Sequence, residues 1–318
     1  MIVTVTLNAA VDRTLSVPNF QLGHRHRASE SLTLAGGKGV NIARALKLLD
    51  EPVVATGLAG GGSGARILDD LSEEAILHDF VRIEDNSRTS TAVVDPMAGS
   101  YTEINEWGPH VEPDELEVLV EKIHYLARGA DFVVFAGTLP RGVSEDFYAE
   151  LIRDLNRTGV HTVLDAEGEP LRLGVEAEPF LVSPNQQEAE GLVDQELSEE
   201  QDFVLALDQI AELGAKNVLI TQEAGCYALL RENRHKARFH AATERVDPIS
   251  PVGAGDVLLA GLIAALVRER PLAEALRSAV GAGTASTLEV GAGRFDPREA
   301  GRLVSAVEVT DLEAVASG

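Results

Sequence analysis

Gly253, Ala254, Gly255 and Asp256 stand at the head of a long apolar run, residues 257–267 (VLLAGLIAALV). Glycines that open a helix expose backbone N–H groups, and the helix dipole adds partial positive charge, so such a turn is an anion site. Asp256 falls in the first helical turn. A carboxylate there can be a plain cap. Beside an anion hole it can also be the base that phosphoryl transfer to a hydroxyl requires. Two further VGAG tetrapeptides, at 280–283 and 290–293, are followed by Thr284 and Arg294 instead of aspartate. They read as helix-end and turn glycines.

A second glycine pair, Gly36 and Gly37 in AGGKGVN (35–41), carries Lys38 and Asn41. It is not a Walker loop. Leu32 stands where the first glycine of that loop belongs, and Gly39 where its Ser or Thr belongs. What remains is a glycine turn opening a helix, where a ligand can approach the main chain. A lysine and an asparagine in that turn favour a ligand site over simple flexibility. Gly60-x-Gly62-x-x-Ala65 mimics a dinucleotide fingerprint, with Glu84 or Asp85 near the place of its acidic residue. It follows the second strand of the pattern, not the first, and reads better as a tight strand-to-helix turn. SPNQQE (183–188) places Asn185 and Glu188 three apart at a helix start. That spacing suits a capping box, or a contact to magnesium or phosphate through water. Taken alone, the cap is preferred.

Strands alternating with helices are needed to hold these turns. Residues 2–7, 52–58, 131–136, 160–165, 180–182, 217–221 and 226–231 have strand composition. Helices are predicted over 40–49, 64–78, 113–128, 144–157 (with Ser144 as N-cap) and 198–213. Three more, near 255–268, 272–288 and 297–307, close the chain. The alternation predicts a mainly parallel central sheet with helices on both faces, a Rossmann-type α/β sandwich. The β-rich pieces at 14–34 and 89–105 have no helices between sheet neighbours. They are expected to form a small β-sheet lid, with residues 1–13, 35–88 and 106–318 as the body.

The bulk numbers narrow the function classes. The 318 residues are 45% hydrophobic and 25% charged, as a packed globular protein requires. The formal net charge is −24, from 51 acidic and 27 basic residues. Such a surface repels phosphate backbones and anionic membranes, which argues against a nucleic-acid or membrane partner. High acidity with few lysines also suits a high-salt cytoplasm, where ions screen self-repulsion. Cys226 is the one cysteine, so an internal disulfide or a multi-cysteine metal site is excluded. The first residues lack a basic region followed by an apolar signal core, and no apolar run approaches ~20 residues. The chain therefore reads as soluble and cytoplasmic.

Together these segments resemble the PfkB carbohydrate kinases, the ribokinase-like sugar kinases. The likeness runs in order through NAAVDRTL with Asp12, GHRHR with Arg27, AGGKGVNIARAL, GGGSG, FAGTLPRG, SPNQQE and SPVGAGD. It is closest to the branch that phosphorylates hexoses already carrying a phosphate. The resemblance implies a ribokinase-like fold with a β-sheet lid, often used for dimer contacts. It implies ATP- and Mg2+-dependent phosphorylation of a ketohexose phosphate. Fructose 1-phosphate is the leading acceptor, with fructose 6-phosphate and tagatose 6-phosphate as alternatives.

Carried over residue by residue, Asp256 is the base and the amides of Gly253, Ala254 and Gly255 hold the transferred group. Asp12, Gly37 and Asn41 hold sugar hydroxyls, while Arg27, Lys38 and Arg88 meet the substrate phosphate, with Arg141 a weaker candidate. Asn185 and Glu188 organise Mg–ATP, Glu188 through water, and Thr221 and Gly225 belong to the nucleotide loop. That loop, ITQEAGC, is one residue shorter than the family's pattern. Pro251 and Val257 replace the family's usual hydroxyl residues, so no monovalent-cation site is assigned. A non-catalytic sugar-phosphate sensor would be expected to lack the base or the anion hole, and both are present. An NAD-linked oxidoreductase rests only on the 60–65 match.

Overall fold

The computed structural model describes residues 1–232, 235–243 and 246–312. Residues 313–318, assigned above to the body, lie outside the described residues. The chain opens with β1 (Ile2–Thr6), leaves the body for β2 (Ala10–Ser16) and β3 (Glu30–Gly36), and returns through α1 (Lys38–Leu48), β4 (Val53–Gly60), α2 (Gly61–Glu73) and β5 (Leu77–Ile83). A second excursion forms β6 (Arg88–Asp95) and β7 (Ser100–Asn105). The alternation continues with α3 (Pro113–Ala127), β8 (Phe132–Ala136), α4 (Phe147–Asn156), β9 (His161–Asp165), α5 (Gly168–Val175), β10 (Leu181–Val182), α6 (Gln186–Val193), α7 (Glu200–Leu213) and β11 (Asn217–Gln222). Then follow β12 (Gly225–Glu232), β13 (His235–Ala242), α8 (Ala254–Val267), α9 (Leu272–Ser286), α10 (Pro297–Leu303) and β14 (Glu308–Asp311).

Among the described residues the large sheet has ten strands in the order β14-β13-β12-β11-β10-β9-β8-β1-β4-β5. Its pairings from β5 to β11 are parallel, and β12, β13 and β14 add an antiparallel edge. Side chains alternate across it, as strand geometry demands. Ile2, Phe132 and Val134 pack with α1, α2, α8, α9 and α10 on one face. Val3, Val5, Val133 and Phe135 pack with α3, α4, α5, α6 and α7 on the other. Helix α8 is buried from Asp256 to Ala265 between α1 and α9, which explains its apolar composition on every side.

Strand β1 lies between β4 and β8, so the strand order reverses there. Parallel sheets open a crevice beyond the carboxyl ends of the strands at such a point. The small sheet, β3-β2-β6-β7, stands beside it. Its register puts Asp12 opposite Ser90 and Ser90 opposite Asn105, so these three share one face. The small sheet is wider than expected, taking in 10–13, 35–36 and Arg88.

Several local expectations change. The helix predicted over 64–78 stops at Glu73, because Ala75 takes a positive φ of 51° and residues 77–83 become edge strand β5. Helix α4 begins at Phe147 with Asp146 at its N-cap, and Ser144 contributes its carbonyl to the Phe147 N–H. Helix α7 is capped by Glu199. Residues 280–283 lie within α9 and not at its end. There, a Cβ on Gly283 would come within 3.0 Å of Leu258 Cβ, so the glycine lets α9 approach α8. Strands β13 and β14 and helix α5 were not anticipated. Among the described residues no helix is long and apolar enough to cross a membrane.

Candidate active site

A cleft of about 870 Å³ occupies the crevice. The body lines it with Thr6 and Asn8 at the end of β1 and just beyond it, residues 136–141 from the last residue of β8 onward, Asp165 at the end of β9, Ser183 and Asn185 after β10, and Thr221 on β11. The small sheet adds Asp12, Arg88, Ser90, Glu103 and Asn105. Gly253, Gly255 and Asp256 close it from the start of α8.

Gly253 is the N-cap of α8 with φ 81°, a conformation that a side chain would strain, and a Cβ there would press on Ala292 at 2.8 Å. The Ala254 N–H is turned back to the Pro251 carbonyl at 3.3 Å. Of the three amides expected to form the anion hole, that of Ala254 is thus engaged, whereas those of Gly253 and Gly255, like that of Asp256, have no acceptor among the described residues. Gly255 is different in kind from Gly253. A Cβ there would meet only Thr221 Oγ1 at 3.9 Å, so the fold itself makes no demand for glycine.

Asp256 is 6% exposed. The Asn41 amide donates to its Oδ2 at 2.8 Å, while Oδ1 carries no hydrogen bond among the described residues. Burial, then the nearby Asp165 carboxylate, raises its pKa well above the ordinary range; Lys38 and the Asn41 bond act the other way. This is the profile of a base able to hold a proton during the reaction. Asn41 was expected to hold sugar hydroxyls. Its carbonyl oxygen accepts from Arg44 at 3.3 Å, so its side chain is engaged at both ends.

Gly36 makes room for Asp12, whose carboxylate carbon lies 2.0 Å from where a Cβ would stand. Burial pushes the Asp12 pKa up to about 6, against the lowering pull of Arg88 and Arg44. Lys38 donates to Asp165 Oδ1 at 2.7 Å and lies 3.7 Å from Glu188 Oε1. Desolvation would lower the Lys38 pKa, but the surrounding Asp165, Glu188 and Asp256 carboxylates raise it overall, so it remains a cation. Arg88 donates to the Asn8 carbonyl at 3.3 Å and to Asn105 Oδ1 at 3.2 Å, both neutral oxygens. Gly37 and Arg141 also line the cleft. Arg27 does not: it is exposed on the loop between β2 and β3.

Asn185 and Glu188 form the cap weighed from the sequence and also line the cleft. Their reciprocal bonds, 2.8 and 2.9 Å, form the capping box of α6. Only Oε2 of Glu188 is used in it, and Oε1 faces Lys38 in the cleft. A second cavity of about 410 Å³ lies between the β11–β12 turn and helices α8 and α9. Gly225, Ala254, Leu258 and Thr284 line it, and Thr221 and Gly255 line both cavities. A ligand can therefore extend from one to the other past Gly255.

Among the described residues seven carboxylates and three cations line the large cleft. Among the described residues no cluster of three His, Cys, Asp or Glu could hold a metal by itself. This donor set fits magnesium, which keeps several waters and takes one or two carboxylates plus substrate phosphates.

Asp165, Arg44, Asn8 and Thr138 were not singled out from the sequence. Asp165 ends a parallel strand, which is a usable signal. Thr138 accepts from Asn8 Nδ2 at 2.9 Å, a pairing across 130 residues with no sequence trace.

Residues 3–299 match the family model described as pfkB family carbohydrate kinase. A 1-phosphofructokinase of Bacillus subtilis is 32% identical, over 98% of this chain and 100% of its own. A tagatose-6-phosphate kinase of Staphylococcus epidermidis is 28% identical over 98% and 100%. The structure of phosphofructokinase-2 from Escherichia coli in complex with substrates and products matches with a TM-score of 0.88 at 28% identity, covering 96% of this chain and 98% of that one.

Proposed function

Because the chain belongs to the pfkB family of carbohydrate kinases and is a sugar-phosphate kinase, we propose that it transfers the terminal phosphoryl group of ATP to fructose 1-phosphate in the cytoplasm, yielding fructose 1,6-bisphosphate. The observation that carries the chemistry is Asp256, held through Oδ2 by Asn41 beside the free Gly255 amide, in one cleft with Lys38 and Arg88. The choice of acceptor rests on the 32% identity to the Bacillus subtilis 1-phosphofructokinase.

The acceptor hydroxyl gives its proton to Asp256 Oδ1 as its oxygen bonds the terminal phosphorus. The bond from that phosphorus to the bridging oxygen breaks, and ADP leaves with the electron pair. The amides of Gly255 and Asp256 face the charge that develops on the transferred group. Arg88, whose bonds go to neutral oxygens, is available to the phosphate already on the sugar. Lys38, which donates to Asp165 in the same cleft, is a second cation for that phosphate. Asp12 and Gly37 face the sugar. Thr221, Gly225 and the 410 Å³ cavity suit the nucleotide. Glu188 and Asn185 would hold Mg2+ through water, and the ion when bound would offset negative charge on the phosphates. Arg27 is left out of this site. Exposed Leu22, Met97, Tyr101 and Ile104 on the lid strands and their loops support a homodimer formed through the lid.

The test is ADP release measured over fructose 1-phosphate, fructose 6-phosphate, tagatose 6-phosphate, fructose and ribose. The highest kcat/KM is expected with fructose 1-phosphate. A higher value with another sugar phosphate reassigns the acceptor, and turnover of free sugars alone removes the phosphate-binding role of Arg88.

A further inference from the structure

Arg44 is 4% exposed and lies on α1, one helical turn beyond Asn41. Its guanidinium is fully spent. Nη2 donates to the Ala35 carbonyl at 2.7 Å and to Glu74 Oε1 at 2.8 Å; Nε donates to Glu74 Oε2 at 2.5 Å. Nη1 donates to the Ala292 carbonyl at 2.9 Å and to Asn41 Oδ1 at 3.3 Å. One side chain thus ties together the glycine turn before α1, the end of α2, the third VGAG copy and the partner of Asp256.

The donor and acceptor types make this arrangement directional. Arginine has no acceptor, so the Asn41 atom facing it must be the carbonyl oxygen. The Asn41 NH2 must then face Asp256, and an NH2 can only donate. Asp256 Oδ2 is therefore held as an acceptor, and Oδ1 is the oxygen left for the substrate proton. The third VGAG copy supports the same assembly. A Cβ on Gly293 would come within 2.6 Å of the Asn41 backbone oxygen, so this glycine lets the turn lie against the main chain that carries Asn41, and Ala292 packs against Gly253.

We propose that Arg44 is a positioning residue for phosphoryl transfer: by fixing which end of the Asn41 amide faces Asp256, it keeps the base acceptor-ready at Oδ1. This rests on the reading of Asp256 as the base. A lysine at 44 can pair with Glu74 but cannot span four partners in a planar fork. It should release the Asn41 amide to flip when Asp256 is protonated, so that the amide oxygen accepts that proton at Oδ2 and holds the base in its spent form.

The test is a double-mutant cycle with R44K and N41A, read as kcat and as KM for the nucleotide. R44K alone should lower kcat by about 10-fold or more, with the nucleotide KM within about 2-fold, since a removed hydrogen bond to a charged group is worth that order. In the N41A background R44K should change kcat by less than about 2-fold. Equal losses in both backgrounds would show that Arg44 merely holds the fold, and full R44K turnover would also overturn the proposal. Should R44K fail to fold, R44M/E74Q removes both charges of the pair together and carries the same cycle. D256N, measured alongside, separates the two readings: its full activity would remove the base itself, whereas its loss with no Arg44–Asn41 coupling removes only the role of Arg44.

Discussion

Replacing Asp256 by asparagine should move activity and stability in opposite directions. Asparagine is isosteric, and its oxygen can take the bond from the Asn41 amide now made at 2.8 Å. Its own NH2 would then stand where Oδ1 receives the proton, so the base is lost with the geometry kept. Removing a general base costs ~10²–10⁴-fold, which is about 2.7–5.4 kcal/mol of barrier. Stability behaves otherwise. The Asp256 pKa is raised in the folded state, chiefly by burial and then by Asp165. A carboxylate raised in this way binds its proton more tightly folded than unfolded. It therefore costs nothing at pH values below the unfolded pKa, and the cost grows as pH rises to the folded value and is complete above it. Each pKa unit is worth about 1.4 kcal/mol, while loss of one carboxylate beside Lys38 removes part of the gain. A net stabilisation of about 1 kcal/mol or more at pH 8 is expected, a rise of about 2–4 °C in Tm per kcal/mol. The gain should shrink towards pH 4, where the unfolded chain also approaches protonation of this carboxyl. ADP release and thermal unfolding at pH 4, 6 and 8 measure both. Turnover within tenfold of wild type would take Asp256 out of the chemistry, and a lower Tm at pH 8 would refute the argument from burial.

Other substitutions test separate parts of the site. Arg88→Ala should raise the KM for the sugar phosphate by about 10–100-fold, the worth of a charged hydrogen bond, with kcat little changed; an unchanged KM removes Arg88 as phosphate anchor. Gly255→Ala should leave Tm level or higher, since its Cβ would meet only Thr221 Oγ1 at 3.9 Å and alanine favours helix, yet raise the nucleotide KM and lower kcat; wild-type kinetics would show that nothing passes that point. Ile104→Asp on the exposed strand β7 should halve the solution mass seen by light scattering, and a mass unaffected by it places any dimer elsewhere. Lowering salt from 1 M to 0.01 M lengthens the Debye screening distance from about 3 to about 30 Å, so a chain of net charge −24 should lose Tm progressively; a Tm independent of salt ends the case for salt adaptation.

Buried elements were legible in the sequence and edges were not. Residues 132–136 and 218–220 are apolar runs because both faces are covered, and composition alone marks them. Strand β5 forms the outer edge, with Leu77, Asp79 and Arg82 exposed, so its apolar pattern is too sparse to separate from the helix before it. The strands β13 and β14, on the other edge, escaped for the same reason. The spacing of Asn185 and Glu188 suited a cap and a ligand contact alike, because one carboxylate has two oxygens: Oε2 closes the capping box and Oε1 is turned to Lys38 in the cleft. Arg27 sat in a matching motif, but motif spacing says nothing of which way an exposed loop carries its side chain.

The glycines show most clearly what sequence order hides. Gly36, Gly253, Gly255 and Gly293 look alike in the chain, and each sits in a glycine-rich turn. The structure gives three of them internal reasons: Gly36 admits Asp12, Gly253 turns with φ 81° against Ala292, and Gly293 admits the Asn41 backbone. Those three are required by the protein whether or not a substrate is present. Gly255 has no such reason, since among the described residues a methyl group there would meet nothing outside its own stretch of helix closer than 3.9 Å. A glycine in a helix costs about 0.5–1 kcal/mol relative to alanine, and here no contact within the fold accounts for that cost. The space it keeps open joins the two cavities beside Asp256, and only a ligand threading between them would require it.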